Sequence, residues 1–313
     1  MIQPTLNNVI CPDATGSHRM AYWQWGDPAS AHVVVCVHGL TRQGRDFDVL
    51  ARALCERASA AGSSLRVICP DVVGRGQSDC LEDPAGYQIP AYAADMLALL
   101  SKLQAEAPIG VLDWVGTSMG GLIGLVLFGQ ADLPLPQRVR KLVLNDVGPT
   151  VEWSALQRIG RYLGKGGEFE SVQQAADAMW AISLGFGPHT PAQWLALSTP
   201  MLRLVDNAGT LTPPRWKLHY DPAIAEPFRA ATETATQEGQ AVLWHLYDQI
   251  SADTLLLRGA ESDLLSVDTA KAMTERGPRA RLLEFKGVGH APTMTSPDQV
   301  AVVIDFLLAA HDQ

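Results

Sequence analysis

A chain of 313 residues, 47% hydrophobic and 18% charged, has the make-up of a globular protein with a large core, and its length suits one parallel α/β domain carrying an insertion. The formal net charge is −9 and no block of lysine or arginine interrupts it, which argues against nucleic acid and anionic membranes as partners. No stretch approaches the roughly 20 apolar residues of a membrane span, and the opening MIQPTLNNVICPDATG lacks the basic and apolar regions of a secretory leader.

Apolar runs and helical patterns alternate along the chain. RMAYWQWG (19–26) alternates like an antiparallel edge strand. VVVCVHG (33–39) is continuous and β-branched, as expected of a strand buried on both faces, and LRVICPD (65–71) repeats the type. In 91–105, Tyr92, Met96, Leu99, Leu100 and Leu103 fall on one helical face. GVLDWVG (110–116) and RKLVLND (140–146) read as further strands. From Asp146 to about Gln249 no buried-strand run occurs and the segment reads helical: Val172, Ala175, Ala176, Met179 and Trp180 share a face, and TPAQ (190–193) looks like a capping box with proline at the first helical position. DTLLLRG (253–259) and ARLLEFKG (280–287) resume the strands, and 297–310 closes the chain as an amphipathic helix. This alternation specifies a mostly parallel, doubly wound α/β sheet. The expected division is a core of 1–147 and 250–313 with a helical cap at 148–249. The five cysteines are scattered and make no C-x-x-C; free thiols and a cytoplasmic location are expected.

Each strand run ends in glycine, aspartate or both, and function in parallel sheets gathers at such ends. GTSMGG (116–121) joins strand VLDWV to an apolar helical run. That places Ser118 at a strand-to-helix turn, where a helix N-terminus aims its N–H groups at the hydroxyl. A serine needs a base to take its proton. His290, in GVGHAP (287–292), follows the last strand and precedes the last helix, unlike the other seven histidines. The base needs an orienting carboxylate. Asp263, in RGAESD (258–263), follows the next-to-last strand and is the expected partner; Asp146 is its rival and Glu261 a third candidate. The backbone N–H groups of Leu40, in VHGLTR (37–42), and of Met119 are the expected oxyanion donors, with His38 and Gly39 shaping the loop. No metal is expected: His219 and Asp221 lack companions at ligand spacing.

Together with PDVVGRGQSD (70–79) and LNDVGP (144–149), these segments resemble the α/β-hydrolase superfamily, of the single-chain type with a helical cap between strands six and seven. The resemblance implies structural roles for Asp71, Gly74, Gly76 and Ser78 and a reaction without cofactor. Relatives that open epoxides or remove halides use aspartate where this chain has Ser118. Ring-cleavage-product hydrolases usually carry arginine where Leu264 stands. The expected activity is therefore a serine hydrolase that cleaves a small or medium-sized carboxylic ester through an acyl-enzyme. The alternatives are a carbon–carbon hydrolase, a cofactor-free haloperoxidase or perhydrolase, or a small-molecule receptor that retains the triad. Trp153, Met179, Trp180, Trp194 and Leu195 offer apolar surface that either packs the insertion or lines a closed substrate slot.

Overall fold

The structure, a computed structural model, describes residues 3–205 and 213–309. The chain opens with a hairpin of β1 (Thr5–Asp13) and β2 (Gly16–Gly26). There follow β3 (His32–Val37), α1 (Asp48–Ala60), β4 (Arg66–Pro70), α2 (Ile89–Glu106), β5 (Val111–Thr117), α3 (Met119–Phe128) and β6 (Val139–Asn145). Between β6 and β10 the chain forms α4 (Trp153–Tyr162), β7 (Glu168–Phe169), α5 (Val172–Ile182), α6 (Pro191–Ser198), β8 (Leu202–Leu204), β9 (Trp216–Leu218), α7 (Ala225–Ala230) and α8 (Glu233–Gln249), the last of which packs back on the main sheet. The chain then returns through β10 (Asp253–Gly259), α9 (Val267–Glu275), β11 (Arg281–Phe285) and α10 (Pro297–Leu308). The helical pattern expected to reach residue 310 ends two residues earlier, and residue 310 itself lies outside the described residues.

Among the described residues, eight strands form the main sheet in the order β1-β2-β4-β3-β5-β6-β10-β11. It is parallel from β4 to β11, while β2 runs antiparallel to β4 and to β1. Residues 19–26 are thus an antiparallel strand, as expected, but an inner one: β1 occupies the edge. Only Val9 and Cys11 of β1 are buried, so its apolar pattern is weak. Val33 to Val37 are wholly inaccessible, consistent with a strand covered on both faces. The core has two layers. One packs α1 and α10 against one face of the sheet through residues such as Leu50, Leu54, Val303 and Leu307. The other packs α2, α3, α8 and α9 against the opposite face through Met96, Leu99, Ile123, Tyr247 and Met273.

The insertion leaves the sheet after β6 and returns before β10, strands that are parallel neighbours. It is not wholly helical: β7, β9 and β8 make a small antiparallel sheet. Strands of two or three residues are too short to display a period of two, which is why the sequence hides them. α5 and α6 behave as read, with Ser171 capping the first and a Thr190–Gln193 capping box opening the second. From β3 the chain steps to β4 on one side and to β5 on the other, so the sheet reverses its winding between β3 and β5. Crevices form at such points, beyond the C-terminal strand ends.

Candidate active site

Ser118 stands at that crevice, between β5 and α3, with φ +51° and ψ −115°. This region is unfavourable for a residue with a Cβ, and it is held here by surrounding contacts. The turn needs its glycines for close approach: a Cβ on Gly116 would lie 2.4 Å from the Gly120 carbonyl oxygen, and one on Gly120 would lie 2.1 Å from that of Val37. The Ser118 N–H donates to the Asn145 carbonyl (3.0 Å), which ties the turn to β6.

His290 lies on the loop after β11. Its Nε2 is 2.9 Å from Ser118 Oγ and its Nδ1 is 2.7 Å from Asp146 Oδ2. A carboxylate at Nδ1 assigns the proton to that nitrogen and leaves Nε2 able to accept from the serine hydroxyl. Several contacts fix the loop. The Glu261 N–H donates to the Val288 carbonyl (2.9 Å), Asn145 Nδ2 to the Pro292 carbonyl (2.8 Å), and the Gly289 N–H to the Gly185 carbonyl of the insertion (2.6 Å).

The expectation that Asp263 orients His290 is corrected. Asp263 is 53% exposed and pairs instead with Arg158 of α4 at 2.6 Å. Asp146 occupies the position. It is fully buried at the end of β6, with φ +57°, and its carboxylate accepts from the Gly259 N–H (2.9 Å), Ser262 Oγ–H (2.6 Å) and His290. Its own N–H donates to the Leu257 carbonyl of β10 (2.8 Å). Glu261 donates its backbone N–H to Val288 and is not drawn to the imidazole. The GAESD segment does reach the site, but through Ser262, which the sequence reading passed over. The signal was present in the serine's neighbouring position and short reach.

The loop after β3 faces the same serine: a Cβ on Gly39 would stand 3.7 Å from Ser118 Cβ. Leu40 and Met119 both line the cavity over Ser118. Met119 opens α3, where a first-turn N–H has no acceptor within its own helix. His38 is buried with both ring nitrogens engaged by backbone. Its Nε2 accepts from the Val72 N–H (3.0 Å), so Nδ1 donates to the Gly39 carbonyl (2.7 Å), and burial pushes its pKa down to about 3. Arg75 is a second residue the sequence reading did not single out. It is fully buried and pairs with no carboxylate among the described residues. Its Nε donates to the Leu40 carbonyl (2.8 Å), one Nη to Tyr92 Oη (3.0 Å) and the other to Met119 Sδ (3.6 Å). One cation thus braces both strand-end loops. In PDVVGRGQSD, Asp71 accepts from the Gly44 and Gln77 N–H groups, and burial raises its pKa to about 6. His219 Nδ1 accepts from the Gly76 N–H, and the Asp221 N–H donates to the Gly74 carbonyl (2.8 Å), so both knit the insertion to this loop, while the Asp221 carboxylate accepts from Tyr87 Oη–H (2.6 Å).

A cavity of about 480 Å³ opens on Ser118. Its walls are mainly apolar, from the start of α2 (Ile89, Tyr92), from α4 (Leu156, Ile159) and from the end of α7 (Phe228). None of the five insertion residues expected at the slot lines it. Met179 and Trp194, with Trp180 and Leu195 packed on them, form the insertion's own core, where Trp194 Nε1–H donates to the Ala176 carbonyl (2.7 Å). Trp153 lines an adjoining cavity of about 520 Å³. An aromatic on a helical face looks the same in sequence whether it meets its own subdomain or a substrate.

Comparison with known proteins agrees with this architecture. The sequence matches the alpha/beta hydrolase family across residues 34–303. It is 46% identical over 307 residues to a 3-hydroxybutyrate-oligomer hydrolase of Cupriavidus necator, covering 98% of this chain and 99% of that protein. An alpha/beta hydrolase of Novosphingobium aromaticivorans is similar in structure, with a TM-score of 0.77 at 33% identity over 98% of this chain and 99% of that one. A putative hydrolase of Rickettsia typhi superposes with a TM-score of 0.81 at 26% identity, over 98% of this chain and all of that one. With its parallel sheet, its serine turn and a family match over most of its length, the chain belongs to the alpha/beta hydrolase family of enzymes.

Proposed function

We propose that this protein is a serine esterase that cleaves short linear esters of hydroxy acids, with oligomers of 3-hydroxybutyrate as the leading substrate. The observation that carries the reading is the unbroken hydrogen-bonded line Ser118–His290–Asp146, at 2.9 and 2.7 Å. Ser118 Oγ attacks the ester carbonyl while its proton passes to His290 Nε2. The carbonyl π pair moves onto oxygen, where the N–H groups of Leu40 and Met119 receive it. When the carbonyl reforms, the C–O bond to the leaving alcohol breaks and His290 returns the proton to that oxygen. Water then repeats the sequence on the acyl-enzyme and frees the acid and Ser118. Asp146 holds the imidazole in the required tautomer throughout. Arg75 supports the reading as a brace of the oxyanion loops, and residues 148–249 act as the cap over a core of 1–147 and 250–313.

The mainly apolar cavity over Ser118 suits the aliphatic units of such an ester. The substrate class comes from the Cupriavidus necator relative, which matches end to end. The test pairs labelling with turnover. A fluorophosphonate should add once, at Ser118, and hydrolysis of a 3-hydroxybutyrate trimer should fall by at least about 10³-fold in Ser118→Ala. A label on another residue, or an undiminished rate in the variant, removes Ser118 from the role.

A further inference from the structure

The cavity over Ser118 and the one beside it adjoin, with lining residues in common. Leu156, Pro227, Phe228 and Ala231 border both. Helix α4 runs along both: Ile159 lines the serine cavity, Leu156 lines the two together, and Trp153, Gln157 and Arg161, spaced by four, line the outer one. The end of α7 divides likewise, with Ala230 on the inner side and Arg229 on the outer. The outer cavity therefore has an aromatic and aliphatic lining and two guanidinium groups.

Among the described residues neither cation has a carboxylate partner. The neighbouring Arg158 is taken by Asp263 at 2.6 Å. Arg161 and Arg229 both stand on a chain of net charge −9, whose general field repels anions. A local pair of arginines is the device that admits an anion to such a surface, because the guanidinium fork matches a carboxylate.

The geometry points to the outer cavity as a carboxylate-recognition subsite, in which Arg161 and Arg229 take the free acid terminus of a linear hydroxy-acid oligoester whose scissile bond lies at Ser118. This rests on the esterase reading above and adds to it a preference for substrates that end in a free acid. A linear oligoester has one hydroxyl end and one carboxylate end. Holding the carboxylate outside the apolar chamber leaves the uncharged ester units within it and spares the charge its desolvation.

The test compares a 3-hydroxybutyrate trimer with a free acid terminus against the same trimer ending in a carboxamide. Turnover is followed in the Ser118 enzyme, and binding by calorimetry in the Ser118→Ala background. The acid should be preferred about five- to tenfold in both kcat/KM and affinity, chiefly through KM. Arg161→Gln and Arg229→Gln should each shrink the ratio about threefold, and together bring it near one. Raising NaCl from low to about 0.5 M should shrink it also. Arg158→Gln should leave it intact. Equal handling of acid and amide by the parent enzyme, or a ratio that survives the double change, overturns the subsite. Because the ratio is internal, a variant that merely loosens the cap lowers both substrates together and counts against the proposal. Binding that discriminates without any turnover would instead overturn the esterase reading and leave the subsite standing.

Discussion

Asp146 and Asp263 lie near the C-terminal ends of adjacent parallel strands, and burial and partners separate them. Three donors converge on the Asp146 carboxylate, which has no water to turn to; Asp263 shares a half-exposed surface pair with Arg158. An amide at position 146 keeps the shape but offers His290 the wrong tautomer. We expect Asp146→Asn to lower kcat by about 10⁴, the loss seen for the equivalent change in the serine protease triad. Asp263→Asn should stay within about threefold of the parent, since exposed pairs contribute roughly 0–1 kcal/mol. Steady-state kinetics on one ester decide the ranking, and the reverse order would return the role to Asp263. The serine and histidine were legible because each has a local signature, a glycine-flanked turn and a loop after the last strand. The acid was not, because its assignment depends on β6 and β10 being neighbours in the sheet. Chain order alone favoured the later strand, and nothing local shows that Asp146 turns inward with φ +57°.

At the scale of elements, continuous apolar runs identified β3 to β6 and β10, since strands covered on both faces leave no other pattern; β11, an edge strand with only Phe285 buried, was legible from its apolar residues after a helix. What escaped is what lacks a period: the half-exposed β1, with Leu6 and Ile10 in solvent, and the three short strands of the insertion. The same blindness left open whether the insertion's aromatics pack its own core or line the substrate slot. Helix α4 and the insertion core can be told apart by experiment. Leu156 borders the serine cavity, so Leu156→Trp should fill it and move the best p-nitrophenyl ester to a shorter acyl chain. Each methylene excluded changes kcat/KM by about 1–3 kcal/mol. Trp194 belongs to the buried cluster of Met179, Leu197 and Met201. Trp194→Ala should cost about 3 kcal/mol of local stability, read as a lower melting temperature, and leave the optimum chain length where it was. A chain-length shift in Trp194→Ala with none in Leu156→Trp would exchange their roles.

For the whole molecule, stability should respond to pH through groups that no catalytic step uses. His18 on β2 bridges two acids, with Nδ1 2.8 Å from Asp13 Oδ2 of β1 and Nε2 3.0 Å from Asp95 Oδ2 of α2. Both nitrogens face carboxylates, so the ring is best served by two protons. Burial alone would lower its pKa, but the hydrogen bonds to Asp95 and Asp13 outweigh it and the net shift is upward. The third neighbour, the Cys11 thiol, is held protonated by burial and adds no charge of its own. A raised histidine stabilises the fold fully below its unfolded value near 6.5, and that stability is lost as pH rises through the folded value. Asp13 has the opposite sign. Its hydrogen bonds from His18 and Thr15 bring it down to about 2, so its contribution holds above the usual 3.8 and fades as pH falls toward 2. Asp95 works against the cluster, because burial raises its pKa and makes its ionised form unfavourable. The cluster therefore helps most between about pH 4 and 6.5. His38 and His219 oppose it: burial keeps both neutral, and the stability this gives is lost below about 6.5. The parent profile mixes the two signs, so the informative quantity is the difference between parent and variant. We expect His18→Gln to lower the melting temperature most at pH 5.5 to 6.5 and progressively less toward pH 9, measured by calorimetry at constant ionic strength. A difference that stays constant across that range would mean that His18 contributes packing and hydrogen bonds but no charge, and that its ring is neutral between the two acids.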